Sequence, residues 1–553
     1  MLDYDVVVIG SGFGGSATAL RLTEKGYRVG ILEAGRRFTD DALPRSSWDL
    51  QAFLWAPIFG CFGIQRMSLM KDVMVLSGAG VGGGSLVYGN TLYEPPEPFY
   101  TDPHWRHITD WREELAPFYD LARRMLGVVD SPTSTPVDDV MRDVAKELGV
   151  GATFRPTQVG VFLGQPGVEV EDPFFGGAGP RRRGCIQCGA CLSGCRHGAK
   201  NTLLVNYLYL AERGGAVVHP LTTVRTVRPL ADGRYAIDTV RSGALPRRGQ
   251  TFTARHVVFA AGTLGTQKLL HRMRDEGHLP RLSARLGELT RTNSEAILAA
   301  RTFRRTADFT PGLAVTSSFF PDAHTHVEGL RYGHGCNAMG LLSTALVDGD
   351  RQPRWLAWIA ENLRHLGVTL RNLSLRHWSE QTIVALVMQT RDNSITCYTA
   401  PGMFGRRLTS KQGHGEPNPT WIPAGHDAVR RIASRIGGHP FGAWSSIFNI
   451  PLTAHFLGGA VIGDSADSGV IDPYHRVYGH PGLHVVDGAA VSSNLGVNPS
   501  LTILAQAERA MALWPNKDQP DARPEPGTPY VRLAPIRPAN PIVPAAAPAA
   551  LRY

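Results

Sequence analysis

No apolar run in this sequence is long enough to cross a bilayer, so nothing in it predicts a membrane-spanning helix. Runs of like charge are also missing. The net charge is +9, but the basic residues are scattered, which describes a solvated surface, and no nucleic-acid partner is expected. There is no internal repeat, which excludes solenoids and propellers. Cysteine is scarce: of seven in 553 residues, four fall within the eleven from Cys185 to Cys195, which does not suit the disulfide framework of a secreted protein. The first apolar strand begins at Tyr4, so no secretory leader is expected, and a reducing cytoplasm is the expected compartment. Glycine, by contrast, is abundant and concentrated in turns that follow apolar strands.

The first of these turns reads Tyr4-Asp5-Val6-Val7-Val8-Ile9-Gly10-Ser11-Gly12-Phe13-Gly14-Gly15, and Glu33 closes a second apolar run. Strand, glycine turn, helix and acidic residue together form a βαβ dinucleotide fingerprint. Gly10 permits the tight turn, Gly12 admits a pyrophosphate, Gly15 lets helix and strand pack closely, and Glu33 accepts from a ribose hydroxyl. Phe13, Gly14 and Ala34 complete the expected contacts, with NAD and FAD both open at this point.

A second glycine-rich loop, 77–85, has glycine at five of nine positions and lets the backbone lie against a flat or anionic ligand. Helical patterns cover 110–126 and 137–148. Short alternating strands at 216–227 and 235–239 suit an antiparallel meander. Residues 256–266 repeat the order strand, small-residue turn, helix, with Gly262 at the turn. A late strand at 483–486 leads into Asp487-Gly488, and a helix is expected from Pro499. After Trp514 the chain is rich in proline and alanine, the composition of an extended, poorly packed tail that wraps the surface or stays mobile.

Four motifs then carry a resemblance. Gly78-Ala79-Gly80-Val81-Gly82-Gly83-Gly84-Ser85 with Glu94-Pro95, the turn at 256–270, Ala454-His455-Phe456-Leu457-Gly458-Gly459, and Gly496-Val497-Asn498-Pro499 resemble the glucose-methanol-choline (GMC) oxidoreductase family, in its cholesterol-oxidase-like branch. The resemblance implies an α/β fold, α+β overall: a discontinuous Rossmann-like FAD-binding domain (1–105, 200–295 and 445–515) beside a substrate domain on a largely antiparallel sheet (106–199 and 296–444), followed by the tail 516–553. It implies FAD contacts at Gly78, Gly82, Gly83, Gly84, Ser85, Val224, Gly262, Asp487, Gly488 and Asn498.

Oxidising an alcohol with flavin requires a group that takes the hydroxyl proton while hydride leaves the carbon. Histidine titrates near neutrality and suits that task, and His455 stands where the family places its active-site histidine. Asn498 carries an amide that can donate to the substrate oxygen, and a helix beginning beside it directs positive charge toward the reduced ring. The resemblance points to a bulky hydrophobic alcohol, best a sterol 3β-hydroxyl. A flavin-binding redox sensor or docking module is the alternative from another class, in which His455→Ala leaves function intact. Members of the branch also shift the steroid double bond with a glutamate on a substrate-domain strand. The similar strand here, 382–389, has no carboxylate, and Asp392 lies off the motif, so this strand supplies no base for isomerisation, which stays open.

The run Cys185-x2-Cys188-x2-Cys191-x3-Cys195 has the spacing of ferredoxin ligands. The expectation is a [4Fe-4S] or [3Fe-4S] cluster that passes electrons singly to an electron-accepting protein or quinone. Cys61 is an alternative fourth ligand, and structural zinc or uncoordinated thiols are the competing readings. Aromatic residues in 47–64 (Trp48, Phe53, Trp55, Phe59, Phe62) and a stripe of Trp355, Ile359, Leu363 and Leu366 either pack in the core, line an apolar access route or make peripheral membrane contact.

Overall fold

The strand Tyr4–Ile9 has no polar residue after Asp5, and Val6, Val7 and Val8 are fully buried. A strand apolar on both faces needs partners on both edges and cover above and below. Its edges pair in parallel with Val29–Leu32 and Gly249–Phe259. The computed structural model describes residues 2–243, 249–350, 353–402 and 405–553. In it these strands form the centre of a seven-stranded sheet. Val217–His219 lies parallel on the outer side of Val29–Leu32, and Leu483–Val485 pairs in parallel with the end of Gly249–Phe259. The hairpin Thr222–Pro229 and Tyr235–Arg241 extends the sheet antiparallel. The meander expected at 216–227 is therefore two strands of opposite roles. Pro220 interrupts the run and Leu221 takes a left-handed turn (φ 54°), which frees Val217–His219 to join the parallel core.

Helices Phe13–Glu24, Ser500–Ala512 and Trp111–Met125 pack side by side over this sheet. Buried pairs tie them together: Arg21 to Glu508 at 2.7 Å and Arg509 to Glu114 at 2.9 Å. Trp111–Met125, grouped with the substrate domain by sequence, thus belongs to the first core. Its apolar stripe dictates burial but not the sheet that covers it. The C-terminal tail has no regular element, yet Val543, Ala547, Ala549 and Ala550 insert into the same core.

The second sheet also has seven strands, in the order Ser343–Ala345, His439–Ala443, Ala296–Arg301, Thr382–Gln389, Thr325–Leu330, Val315–Phe319 and Arg155–Pro156, with every pairing antiparallel. Helices Pro136–Glu147 and Pro423–Arg435 cover one face through Val137, Met141, Val144, Val429 and Ile432. The other face looks toward the glycine turns. Among the described residues no helix is long and apolar enough to cross a membrane.

Candidate active site

A cavity of about 550 Å³ runs from the fingerprint turn to the open face of the second sheet. At its first end the turn is built for backbone approach. Gly10 has φ 103°, and a Cβ there would sit 2.3 Å from the Ala260 carbonyl oxygen; a Cβ on Gly14 would sit 2.0 Å from that of Val486. Helix Phe13–Glu24 starts at Gly12 with no side-chain cap, so its first N–H groups are open to an anion. Glu33 Oε2 accepts from Ser11 N (3.1 Å) and Ser11 Oγ (2.8 Å), and Oε1 from Gly35 N (2.8 Å), which fixes the carboxylate at the cavity wall. Arg66, Lys268 and Arg272 converge on the same wall. Burial, with Arg66 and Arg272 adding to it, lowers Lys268 to about 8, a crowding of positive charge that an anionic ligand relieves.

Gly12, Phe13, Ala34, Gly78, Gly83, Gly84, Val224, Gly262, Asp487, Gly488 and Asn498 all line the cavity, as do Gly10, Gly14 and Glu33. Gly15, Gly82 and Ser85 stand behind it. Gly15 packs helix against strand, Gly82 N donates to Ser11 Oγ (3.1 Å), and Ser85 Oγ donates to the Gly82 carbonyl (2.7 Å). Asp487 accepts from Thr266 Oγ1 (2.5 Å) and Ala489 N (2.9 Å), and burial raises it to about 6.

At the other end, the strand Leu452–Thr453 pairs in parallel with Met74–Gly78 and so carries His455 to the cavity beside the glycine loop. Asn498 precedes Pro499, which is the N-cap of Ser500–Ala512, so its amide is not used in capping and lines the cavity. Asn498 Nδ2 donates to Glu328 Oε2 at 3.4 Å, while its Oδ1 is buried without a partner. Two carboxylates that sequence reasoning missed flank the histidine. Glu295 Oε2 lies 3.0 Å from His455 Nδ1, and Glu328, on Thr325–Leu330, reaches the cavity opposite Leu386 of Thr382–Gln389. The signal for Glu328 was a lone acid in the alternating strand 325–330. Its raised proton affinity, to about 7, comes from complete burial, partly countered by His455. Burial disfavours the His455 imidazolium, but Glu295 and then Glu328 outweigh it, and its pKa lies above the ordinary 6.5. Around these groups the wall is apolar, with Leu330, Tyr332, Met339, Trp378, Val384 and Leu386.

Trp55 lines this cavity and Phe53 is buried, while Ile58 and Phe59 protrude, 94% and 83% exposed. Helices Arg354–Arg364 and Leu366–Leu373 lie over the strand Ser343–Ala345, whose Ser343 lines the cavity, and Trp358 Nε1 donates to Thr344 Oγ1 (2.8 Å). The predicted stripe does not pack inward: Trp355, Ile359, Leu363 and Leu366 are 40–68% exposed, and Leu370 and Leu373 continue the exposed apolar face.

The cysteine loop departs from expectation. Cys185, Cys188, Cys191 and Cys195 do line one cavity, but its volume is about 20 Å³, room for about one water and not for an inorganic cubane. Among the described residues, no three His, Cys, Asp or Glu side chains converge to hold a metal ion. The physical reason is that the loop closes on protein. Cys185 and Cys195 pack against Val159, Val161, Ala199 and Leu313, and Lys200 Nζ fills the loop by donating to the Leu86 and Cys191 carbonyls (3.0 and 2.8 Å). Burial pushes the Cys185 thiol to about 12, that of Cys191 to about 11, and that of Cys188 upward. Cys61 does not line the cavity, and all seven cysteines are unpaired.

A nucleotide turn joined to a histidine–amide site in an apolar cavity defines a flavin-dependent oxidoreductase acting on CH–OH groups. The family described as GMC oxidoreductase matches residues 447–507, which hold His455 and Asn498, and the NAD(P)-binding Rossmann-like domain matches residues 8–49. A cholesterol oxidase of Mycobacterium tuberculosis (strain ATCC 25618 / H37Rv) is 60% identical over 100% of this chain and 98% of its own. A cholesterol oxidase of Acinetobacter baumannii is 41% identical over 93% of this chain and 95% of its own. Among solved structures, pyridoxine 4-oxidase from Mesorbium loti superposes with a TM-score of 0.59 at 14% identity, over 92% of this chain and 98% of that one, a likeness of fold alone. The chain belongs to the GMC oxidoreductase family. FAD fits the residues present: the open helix N-terminus and the cations suit its pyrophosphate, and Glu33 suits its ribose.

Proposed function

We propose that the protein oxidises the 3β-hydroxyl of a sterol to the ketone, with FAD as the hydride acceptor. The observation that carries this is the placement of His455, Asn498 and Glu328 together at the apolar end of a cavity whose other end is the nucleotide turn. The two relatives named as cholesterol oxidases support the substrate class. Bound flavin supplies the site that receives hydride. The rest of the chemistry falls to the protein. His455, which lines the cavity, takes the hydroxyl proton at Nε2 as the O–H bond breaks, while the C–H bond breaks and a C=O bond forms. Asn498 donates to the substrate oxygen, and the N-terminus of Ser500–Ala512 would favour negative charge on a flavin bound beside it.

Glu328 supports a second step, with its base on the strand 325–330 rather than on 382–389. Its carboxylate removes a proton from the carbon next to the new ketone and returns it two carbons further along, so that the double bond moves into conjugation with no net change in atoms or electrons. The exposed leucines of 354–373, with Ile58 and Phe59, suit a lipid surface from which a sterol is drawn. The unpaired cysteines suit a reducing cytoplasm. The water-sized cavity at the cysteine loop does not support an iron–sulfur outlet, and the two relatives named as oxidases support dioxygen as the acceptor.

The test is anaerobic mixing of the flavin-loaded protein with cholesterol. Flavin bleaching is expected, and His455→Gln is expected to slow it by roughly 10²- to 10⁴-fold with flavin content unchanged. Bleaching by His455→Gln at the original rate refutes the assignment and favours the sensor reading.

A further inference from the structure

The segment 291–295 clips the two halves of the reaction site together. Asn293 N donates to Asn494 Oδ1 (2.8 Å), Asn293 Nδ2 donates to the Val497 carbonyl (3.0 Å), and Gly496 N donates to Asn293 Oδ1 (2.7 Å), so the clip grips the chain just before Asn498. Asn293 and Ser294 are both held in the left-handed region, at φ 58° and 42°. Two consecutive non-glycine residues in that region are strained, and such strain persists where the surroundings enforce it. The turn delivers Glu295, fully buried, beneath His455. Glu295 accepts from Thr453 Oγ1 (2.8 Å) and Ala454 N (3.2 Å), which pins both of its oxygens, and Thr453 Oγ1 in turn accepts from His455 N (2.9 Å). Glu295 Oε2 and His455 Nδ1 are 3.0 Å apart, an ion-pair distance at which the buried Nδ1 has no other partner among the described residues.

We infer that Glu295 is the positioning residue of the reaction, resting on the role of His455 proposed above: it holds the proton on Nδ1 so that the Nε2 lone pair faces the substrate hydroxyl. Without it, the neutral ring is free to place its proton on Nε2 and present no base to the cavity. When Nε2 accepts the substrate proton, the imidazolium lies directly against the carboxylate, the arrangement in which an acid orients a general base without touching substrate. Among the described residues, the charged groups acting on His455 are Glu295 below and Glu328 across the cavity. Glu328 contacts Asn498 and lies on the substrate side, so only Glu295 is placed to select the tautomer.

The experiment compares Glu295→Gln with His455→Gln and the double variant, each as flavin-loaded full chain. Glu295→Gln is expected to slow flavin reduction by roughly 10- to 10³-fold with KM nearly unchanged. The acidic limb of its kcat/KM profile is expected at lower pH than in the original protein, because the imidazolium keeps only Glu328 as a neighbouring acid. The double variant is expected to be no slower than His455→Gln alone. An acidic limb that stays in place, or losses that multiply in the double variant, overturns the inference. If His455→Gln itself is silent, the proposed function fails instead. Should Glu295→Gln not retain flavin, Glu295→Asp decides: it keeps the charge and is expected to keep the acidic limb at a reduced rate, and a shifted limb overturns the inference.

Discussion

Replacing Glu328 with glutamine keeps the shape of the side chain and removes its ability to take a proton. In the folded protein this carboxyl titrates at about 7 against an ordinary 4.5, because it is wholly buried. At about pH 5 only roughly one molecule in a hundred carries the carboxylate, and at about pH 8 roughly nine in ten do. Formation of the conjugated ketone is therefore expected to rise roughly tenfold per pH unit up to about pH 7 and then level off. Glu328→Gln is expected to release the unconjugated ketone and to lose roughly 10²- to 10⁴-fold in double-bond migration, while flavin bleaching changes far less. The assay is stopped-flow flavin reduction beside the ultraviolet absorbance of the conjugated product. Stability supplies a second arm. A carboxyl whose folded pKa is raised stabilises the native state fully below about 4.5 and loses that contribution as pH rises through about 7. The span corresponds to about 3 kcal/mol, so Glu328→Gln is expected to gain on the original protein in denaturant between those two pH values and not below them. Conjugated ketone formed by Glu328→Gln at the original rate, or a rate without a limb near pH 7, refutes the reasoning.

Two further outcomes are expected. Leu363, Leu366 and Leu370 changed together to serine should weaken binding to sterol-containing vesicles by roughly 10²-fold, each leucine giving up part of the ~1.5–3 kcal/mol that full burial carries, while turnover of sterol in detergent micelles stays the same; equal losses in both assays count against a lipid-facing role. Protein prepared without oxygen should contain flavin but no stoichiometric iron or sulfide, since the thiol-lined cavity is water-sized; stoichiometric iron and sulfide would reinstate a cluster at Cys185, Cys188, Cys191 and Cys195.

The parts of this protein legible from sequence are those whose chemistry is local. Gly10, Gly12 and Gly14 with Glu33 lie within one βαβ unit, and the strand, turn and helix that align them are set by neighbours in the chain. Asp487 and Asn498, each at a strand end or helix start, stand on the cavity wall for the same local reason. The cysteine spacing was equally local, but spacing does not set how much room a loop leaves at its centre, and here the cavity lined by the four cysteines and Lys200 is water-sized. The stripe at 355–366 showed its period but not its exposure, since the same pattern serves a core and an interface.

Residues 4–33 by themselves determined a nucleotide turn, and the motifs around His455 and Asn498 determined the chemical class. Only the tertiary structure decided how the site is completed. Glu295 and Glu328 are separated from His455 by 160 and 127 residues of chain. They meet it because an antiparallel sheet brings one strand end and one strand centre to the same face, a pairing that no local pattern encodes.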